Sequence, residues 1–406
     1  MNACRKPIAA AMLLLLSIVV LTGCWNSNEL SDMAIVVGIG VDKDGDSGKY
    51  RVSMQIVNPS TVAANKSSGG GQNAIPNIVY SSVDHTLFSA FRKTSQKAPR
   101  RLFFAHSQMF VIGEPLAREG INGLFDLFER SRELRLTSSV VIARGMKAED
   151  LLNILTPMQT TTATSIKDKL EVTSEVWAQN VDTDVTDIIK KVSGSGEPAI
   201  SGAKAVGNPI AGRKKANLEE TPPQTNIETK GIAIFAQGKL AAWLDGKAAR
   251  GAVWAMNKMK STTVNLDCGN EKQAIAIEVI RSSTRTRVHM RNGKPVLTMH
   301  IKEEGNLTET NCPLDPSNRE LIVKLQNQLA EATKKEVETA IKAAQSKKSD
   351  IFGFSTEMER TQPKAWKQLE KSWPDVFAET EVEINVEAYI RRTGLRIKSY
   401  IKPEKE

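Results

Sequence analysis

A chain of 406 residues, 40% hydrophobic and 25% charged, has ample material for real cores, and its composition argues against a disordered stalk. Its formal charge of +9 is a mild excess. No helix-turn-helix, zinc finger or aromatic-basic platform turns that excess toward nucleic acid, so it reads either as attraction to an anionic membrane or as a generally soluble, lysine-dotted surface.

The chain opens with Arg5 and Lys6, then an uncharged apolar run over residues 8–21, then small residues leading into a cysteine. This is the layout of a secretory signal. Fourteen residues are too few for a permanent span, which needs about 20. Leu21-Thr22-Gly23-Cys24 has the form of a lipobox, in which a Leu, two small residues and a Cys direct diacylglycerol onto the Cys sulfur and cleavage just before it. Cys24 is then the mature N-terminus and a membrane-lipid partner is expected through it, because two acyl chains together anchor stably. Loss of residues 1–23 leaves 383, enough for two or three domains, and lowers the charge to +7.

Residues 34–41 (AIVVGIGV) and 50–57 (YRVSMQIV) read as a hairpin. The acidic linker between them does not suit calcium, since Ser47 and Ser53 occupy the positions that need Gly and a bidentate Glu. Residues 58–77, with Ser67-Ser68-Gly69-Gly70-Gly71, have no periodicity and are expected to form a mobile excursion open to proteolysis. A strand follows at 78–82. Asp84 is positioned to cap a helix whose apolar face is Leu87, Phe88 and Phe91. A strand at 108–112 leads to a helix begun by Pro115, with Ile121, Leu124, Phe125 and Phe128 on one face. Next come a strand at 136–143, a helix at 147–155 and a helix-like segment around Val176, Trp177 and Val181.

Ser193-Gly194-Ser195-Gly196 is the best candidate boundary, and residues 207–226, with Arg213-Lys214-Lys215 and Pro222-Pro223, read as an exposed loop or linker. Residues 230–243 form a hairpin through Gln237-Gly238, followed by a helix over 245–259. Strands at 262–266, 274–290 and 295–301 include the turn Asn292-Gly293, whose residues tolerate the positive φ of a type I′ hairpin. Asn318 is a cap for the longest helix, running to 345 with Ile322, Leu325, Leu329, Val337 and Ile341 inward. A short helix holding Trp366, Leu369 and Trp373 is expected to end at Pro374, and residues 381–390 alternate as a last strand.

The expected fold is α+β and multi-domain: a mixed α/β-layered N-terminal region followed by a C-terminal antiparallel sheet packed with a long helix. The expected divisions are signal 1–23, domain 24–193, linker and exposed loop 194–228, and domain 229–406. Cys268 and Cys312 remain after Cys4 and Cys24 are accounted for. Both follow strand-like runs and precede turn residues, so they form either a disulfide at one end of a sheet or two free thiols.

No catalytic set emerges. The four His residues (85, 106, 289, 300) have no paired metal spacing, and no nucleophile elbow, phosphate loop or Ser-Lys signature is present. No cofactor is expected. Trp243, Trp254, Trp366 and Trp373 fall on apolar faces and are read as core.

The pieces Cys24-Trp25, Glu29-Leu30, residues 34–42, 231–235 and 240–245, Arg250-Gly251, residues 350–354, Trp366, Trp373, Phe377 and residues 391–394 together resemble the Ger(x)C spore germination lipoproteins, from about residue 24 to 398. The resemblance implies a non-enzymatic, membrane-anchored C subunit of a nutrient germinant receptor. Such a subunit works with an integral A subunit and a polytopic B subunit in the inner spore membrane, on the outer face of that membrane. Contact with the nutrient germinant can then be indirect, and only Cys24 carries over as a functional residue. The alternative is a substrate-binding lipoprotein of a nutrient importer, which usually has two similar α/β lobes around a cleft.

Overall fold

Apolar β-branched runs separated by polar turns and helices put the strands described between Met33 and Leu244 into one sheet. The computed structural model describes residues 32–57, 75, 77–315 and 317–392. In chain order the first part contains β1 (Met33–Lys43), β2 (Tyr50–Val57), β3 (Asn77–Asp84), α1 (Leu87–Thr94), β4 (Arg101–Phe103) and β5 (Met109–Gly113). It continues with α2 (Glu114–Glu119), α3 (Asp126–Arg130), β6 (Ser139–Ala143), α4 (Ala148–Leu152), α5 (Thr162–Val176) and α6 (Val185–Val192). After these come β7 (Ala199–Gly207), the single turns α7 (Pro209–Gly212) and α8 (Ala216–Glu219), β8 (Thr225–Ala236) and β9 (Lys239–Leu244).

These strands form a nine-stranded sheet among the described residues, in the order β3-β2-β1-β5-β6-β7-β8-β9, with β4 beside the start of β1. The centre, β1-β5-β6-β7, is parallel, and antiparallel strands flank it on both sides. Helices cover both faces. Phe91, Leu116, Phe128 and Ile188, from α1, α2, α3 and α6, bury one face, while Leu151, Leu152, Ile166 and Leu170, from α4 and α5, bury the other. Two glycines of β1 permit that second layer: a Cβ at Gly38 would lie 2.7 Å from the Ala163 Cβ, and one at Gly40 would lie 2.9 Å from Leu152 Cδ1.

The second part holds α9 (Gly246–Ala255), β10 (Thr262–Cys268), β11 (Glu271–Arg291), β12 (Lys294–Thr310), α10 (Arg319–Gln345), α11 (Phe354–Thr361), α12 (Pro363–Leu369), α13 (Trp373–Glu379) and β13 (Glu381–Arg392). Its sheet runs β10-β11-β12-β13. The β11–β12 hairpin turns at Asn292 and Gly293, both with positive φ (52° and 75°), as a type I′ turn requires. Asn318 Oδ1 accepts the N–H groups of Glu320 and Leu321 and starts α10. Trp254, Trp366 and Trp373 are buried in this core, and Trp243 packs half-buried against the first one. The molecule is therefore mixed α/β, with a C-terminal sheet that is mainly antiparallel.

Several expectations are corrected. The expected linker at 194–228 is not a linker: β7 and β8 pair with each other, β7 joins β6, and the buried Asn217 ties the intervening turns to Leu155 and Thr225. The large sheet thus continues to Leu244, past the expected boundary. β13 pairs parallel with β12, so the last sheet is not purely antiparallel. Thr86, not Asp84, caps α1, and Phe88 stands exposed while Leu87 and Phe91 are buried. The helix expected from Pro115 breaks after Glu119 into separate short helices, although Ile121, Leu124, Phe125 and Phe128 are all buried. Pro374 does not end a helix; it sits in the first turn of α13. Val176 and Trp177 close α5 in exposed positions.

Candidate interaction surfaces

The segments that carried the family-like pattern gather into four polar knots. In the first, Asp42 at the end of β1 accepts the Ala148 and Glu149 N–H groups (2.8 and 3.0 Å) and so caps α4. Burial pushes its carboxyl up to about 6, against the lowering by those two N–H groups. Gly113 opposite is obligatory, because a Cβ there would collide with the Asp42 carboxylate.

In the second knot, Arg144 makes a two-pronged pair with Asp245 (2.6 and 2.8 Å), and its guanidinium lies 4.4 Å from the centre of the Trp243 ring. Glu114 joins them: it accepts the Gly145 N–H at 2.6 Å, the Arg118 guanidinium and, at 3.4 Å, the Trp243 indole. Burial raises its carboxyl, but those donors outweigh it and hold the group below its ordinary value. Gly231, with φ of +75°, is required here because a side chain would meet Asp245 and Arg144.

The third knot lies between α9 and α10. Arg250 pairs with Glu336 through Nε–Oε2 (2.8 Å) and Nη2–Oε1 (2.6 Å), with both side chains below 10% exposed, and also donates to the Thr263 carbonyl. Gly251 lets the helices meet; a Cβ would strike the Glu336 carbonyl oxygen. Beside this pair, Glu303 on β12 accepts the Thr333 hydroxyl at 2.8 Å. Burial pushes its carboxyl up to about 8.

The fourth knot is Asp350. Its two oxygens accept the N–H groups of Phe352, Gly353, Phe354 and Ser355 and the Trp373 indole N–H, at 2.6–3.2 Å. Its carbonyl accepts the Glu197 N–H, tying this turn to the first sheet. Lys191 of α6 reaches the same place, with its ammonium 3.2 Å from where a Gly353 Cβ would stand, and burial lowers its pKa.

All four knots position backbone and helices. None places a nucleophile against a base, and no group of three His, Cys, Asp or Glu capable of holding a metal occurs among the described residues. The four His side chains are exposed. The open surfaces are clefts. One of about 1110 Å³ runs between β10 and α10 and includes Lys247, Asn265, Gln328 and Glu331. A second, of about 610 Å³, lies on the seam between the sheets, between Lys190 and Lys258 on one side and Phe352 and Glu359 on the other. A third, of about 720 Å³, surrounds Phe91 and Phe104 and is rimmed by Asp32, Arg92, Arg100 and Arg101.

The residues expected to matter most are distributed as follows. Leu21, Thr22, Gly23 and Cys24 lie outside the described residues, as do the Gly-rich stretch 67–71 and residues 393–398. Cys268 and Cys312 are joined by a disulfide, with their Cα atoms 6.5 Å apart, at the β10 end of the second sheet. Sequence reasoning passed over residues 92–101, RKTSQKAPRR, which hold five basic and no acidic side chains. The signal was the missing counter-charge rather than any motif.

Residues 26–205 match the family described as spore germination protein N-terminal domain, and residues 230–394 match spore germination B3/GerAC like, C-terminal. The chain is 34% identical to spore germination protein KC of Bacillus subtilis (strain 168), over 95% of this chain and 96% of that protein. It is 25% identical to spore germination protein YndF of the same organism, over 96% and 98%. Among solved structures, the GerBC protein superposes with a TM-score of 0.54 at 18% identity, covering 87% of this chain and 96% of its own, which shows the shared fold.

Proposed function

The chain belongs to the GerAC-type spore germination family, and from that membership we propose that it is the lipid-anchored C subunit of a spore nutrient germinant receptor. The observation that carries this reading is the match to spore germination protein KC over 95% of this chain and 96% of that protein. The mature chain, tethered through diacylglycerol on Cys24, sits on the outer face of the inner spore membrane beside integral A and B subunits. Its part is non-catalytic: the carboxylates of the four knots are engaged in caps and ion pairs, which suits a rigid body that transmits contact rather than one that turns over a substrate. The nutrient then acts on the assembly, directly or through the integral subunits.

An importer's binding lipoprotein fits less well. Such proteins pair two similar lobes, whereas this chain sets a nine-stranded mixed sheet against a four-stranded one of different order. Cys24→Ala tests the anchor. The variant should fold normally, leave the membrane fraction for the soluble fraction and weaken nutrient-triggered germination. Full membrane retention with unchanged germination would show that protein contacts alone hold it.

A further inference from the structure

We propose that the face formed by α1 and the basic segment 92–101 docks directly on an anionic phospholipid surface. This rests on the membrane-side placement proposed above, and it adds a second, protein-borne contact to the acyl anchor.

Arg92, Lys93, Lys97, Arg100 and Arg101 fall within ten residues that contain no Asp or Glu, and all five are exposed. The Lys93 ammonium lies 3.8 Å from the Asp84 carboxylate, and Lys97 donates to the Ser81 carbonyl. Arg92, Lys97 and Arg100 form no ion pair among the described residues. The acidic groups facing the groove are Asp32 and Glu133, too few to neutralise it.

The position of the segment supplies the occupant. β4 pairs in parallel with the first residues of β1, Arg101 opposite Met33 and Leu102 opposite Ala34. The basic segment therefore adjoins the place where the described chain begins, and Asp32 lines the same groove. Cys24 is eight residues upstream of Asp32, a covalent reach of at most ~29 Å. Whatever holds Cys24 at a bilayer keeps this end of the large sheet close to the headgroups.

Apolar groups complete the face. Phe88 is 51% exposed on α1, and the Arg92 guanidinium one turn later lies 5.1 Å from its ring centre. Ile78, 41% exposed, is the second residue of β3, opposite Ile56, which itself pairs with Val36 near the start of β1, so it belongs to the same end of the sheet. Exposed aromatic and aliphatic side chains among arginines match a membrane interface, where rings enter the headgroup layer and guanidinium groups bond phosphates.

The test uses the full mature chain with Cys24→Ala, so that no acyl chain contributes, sedimented with vesicles of phosphatidylcholine alone or with 30% phosphatidylglycerol. The chain should bind the anionic vesicles, not the neutral ones, and release as salt rises. Each basic residue at the surface contributes roughly a fivefold change in partition. Arg92→Glu/Lys97→Glu/Arg100→Glu should therefore weaken binding by about a hundredfold. Reversal of the exposed Lys214, Lys239 and Lys247 on other surfaces should change it far less. Circular dichroism confirms that both triple variants stay folded. No partition onto anionic vesicles, or equal loss in the two triple variants, overturns the proposal and leaves the segment for an acidic protein partner. Fractionation of the unmodified chain reads the Cys24 anchor separately, so failure of one reading does not imply failure of the other.

Discussion

The two sheets solve the burial problem in opposite ways. The large sheet is covered on both faces, so its central strands are almost wholly apolar and its helices approach through glycines at 38 and 40. The C-terminal sheet is covered on one face by α9, α10 and the helices after it, and its long β11 and β12 strands alternate buried and exposed side chains. Its open face is laced by ion pairs between strands: Arg291 with Glu381 and Glu383, Lys302 with Glu387, Arg391 with Glu304. Such exposed pairs add little stability, but they neutralise the face. The basic segment at 92–101 is less fully neutralised: Lys93 approaches Asp84, but Arg92, Lys97 and Arg100 form no ion pair among the described residues, which makes this surface the better candidate for an outside partner.

The contrast extends to how each region handles buried charge, and mutation can test it. Asp350 accepts five N–H donors where Asp42 accepts two. Asp350→Ala should cost about 5 kcal/mol and Asp42→Ala about 2 kcal/mol in urea unfolding, since each orphaned buried donor carries a desolvation penalty. Ile232, Ile234 and Leu244 of the large sheet belong to the C-terminal core, so both variants should still unfold in one transition. Separate transitions by tryptophan fluorescence and circular dichroism would show that the regions are independent. The disulfide comes next. It closes a separation of 44 residues, and Cys268→Ser/Cys312→Ser should destabilise by about 4 kcal/mol on the loop-entropy estimate, measured against the reduced and oxidised parent.

Legibility in the sequence follows the range of the interaction that fixes each element. The Asn292-Gly293 turn and the Asn318-capped helix are local, and both are found where the residues indicate. β7 is different: AISGAKAVG reads as loop because its residues are small, yet they are small because neighbours fill the space. A Cβ at Gly202 would meet the Lys230 carbonyl at 2.6 Å and the Trp243 ring at 2.7 Å. The parallel docking of β13 is likewise set by the crossover through α10–α13 rather than by its own alternation. Of the knots, Asp350 and Arg250-Gly251 were visible as pattern, but their partners Trp373 and Glu336 lie 23 and 86 residues away, and only the fold brings them together.

The finest distinction between the regions is in pH. Burial raises Asp42 from 3.8 to about 6 and Glu303 from 4.5 to about 8. In both cases the folded state holds a proton that the unfolded chain releases, so stability is full below the unfolded value and falls as pH rises through the folded one. Asp42 has finished by neutral pH. Above it, the slope from this pair comes from Glu303, which faces Thr333, Glu336 and Arg250, and its limit is about 1.4 kcal/mol per pH unit. Glu303→Gln preserves the shape and can still accept the Thr333 hydroxyl, but has no proton to lose. Its stability should draw ahead of the parent progressively between pH 6 and 8 and hold a constant lead above about 8.5, read from urea midpoints at a series of pH values. Parallel curves for the two proteins would mean that Glu303 is ionised in the folded chain at neutral pH, with Arg250 divided between two carboxylates instead of committed to Glu336.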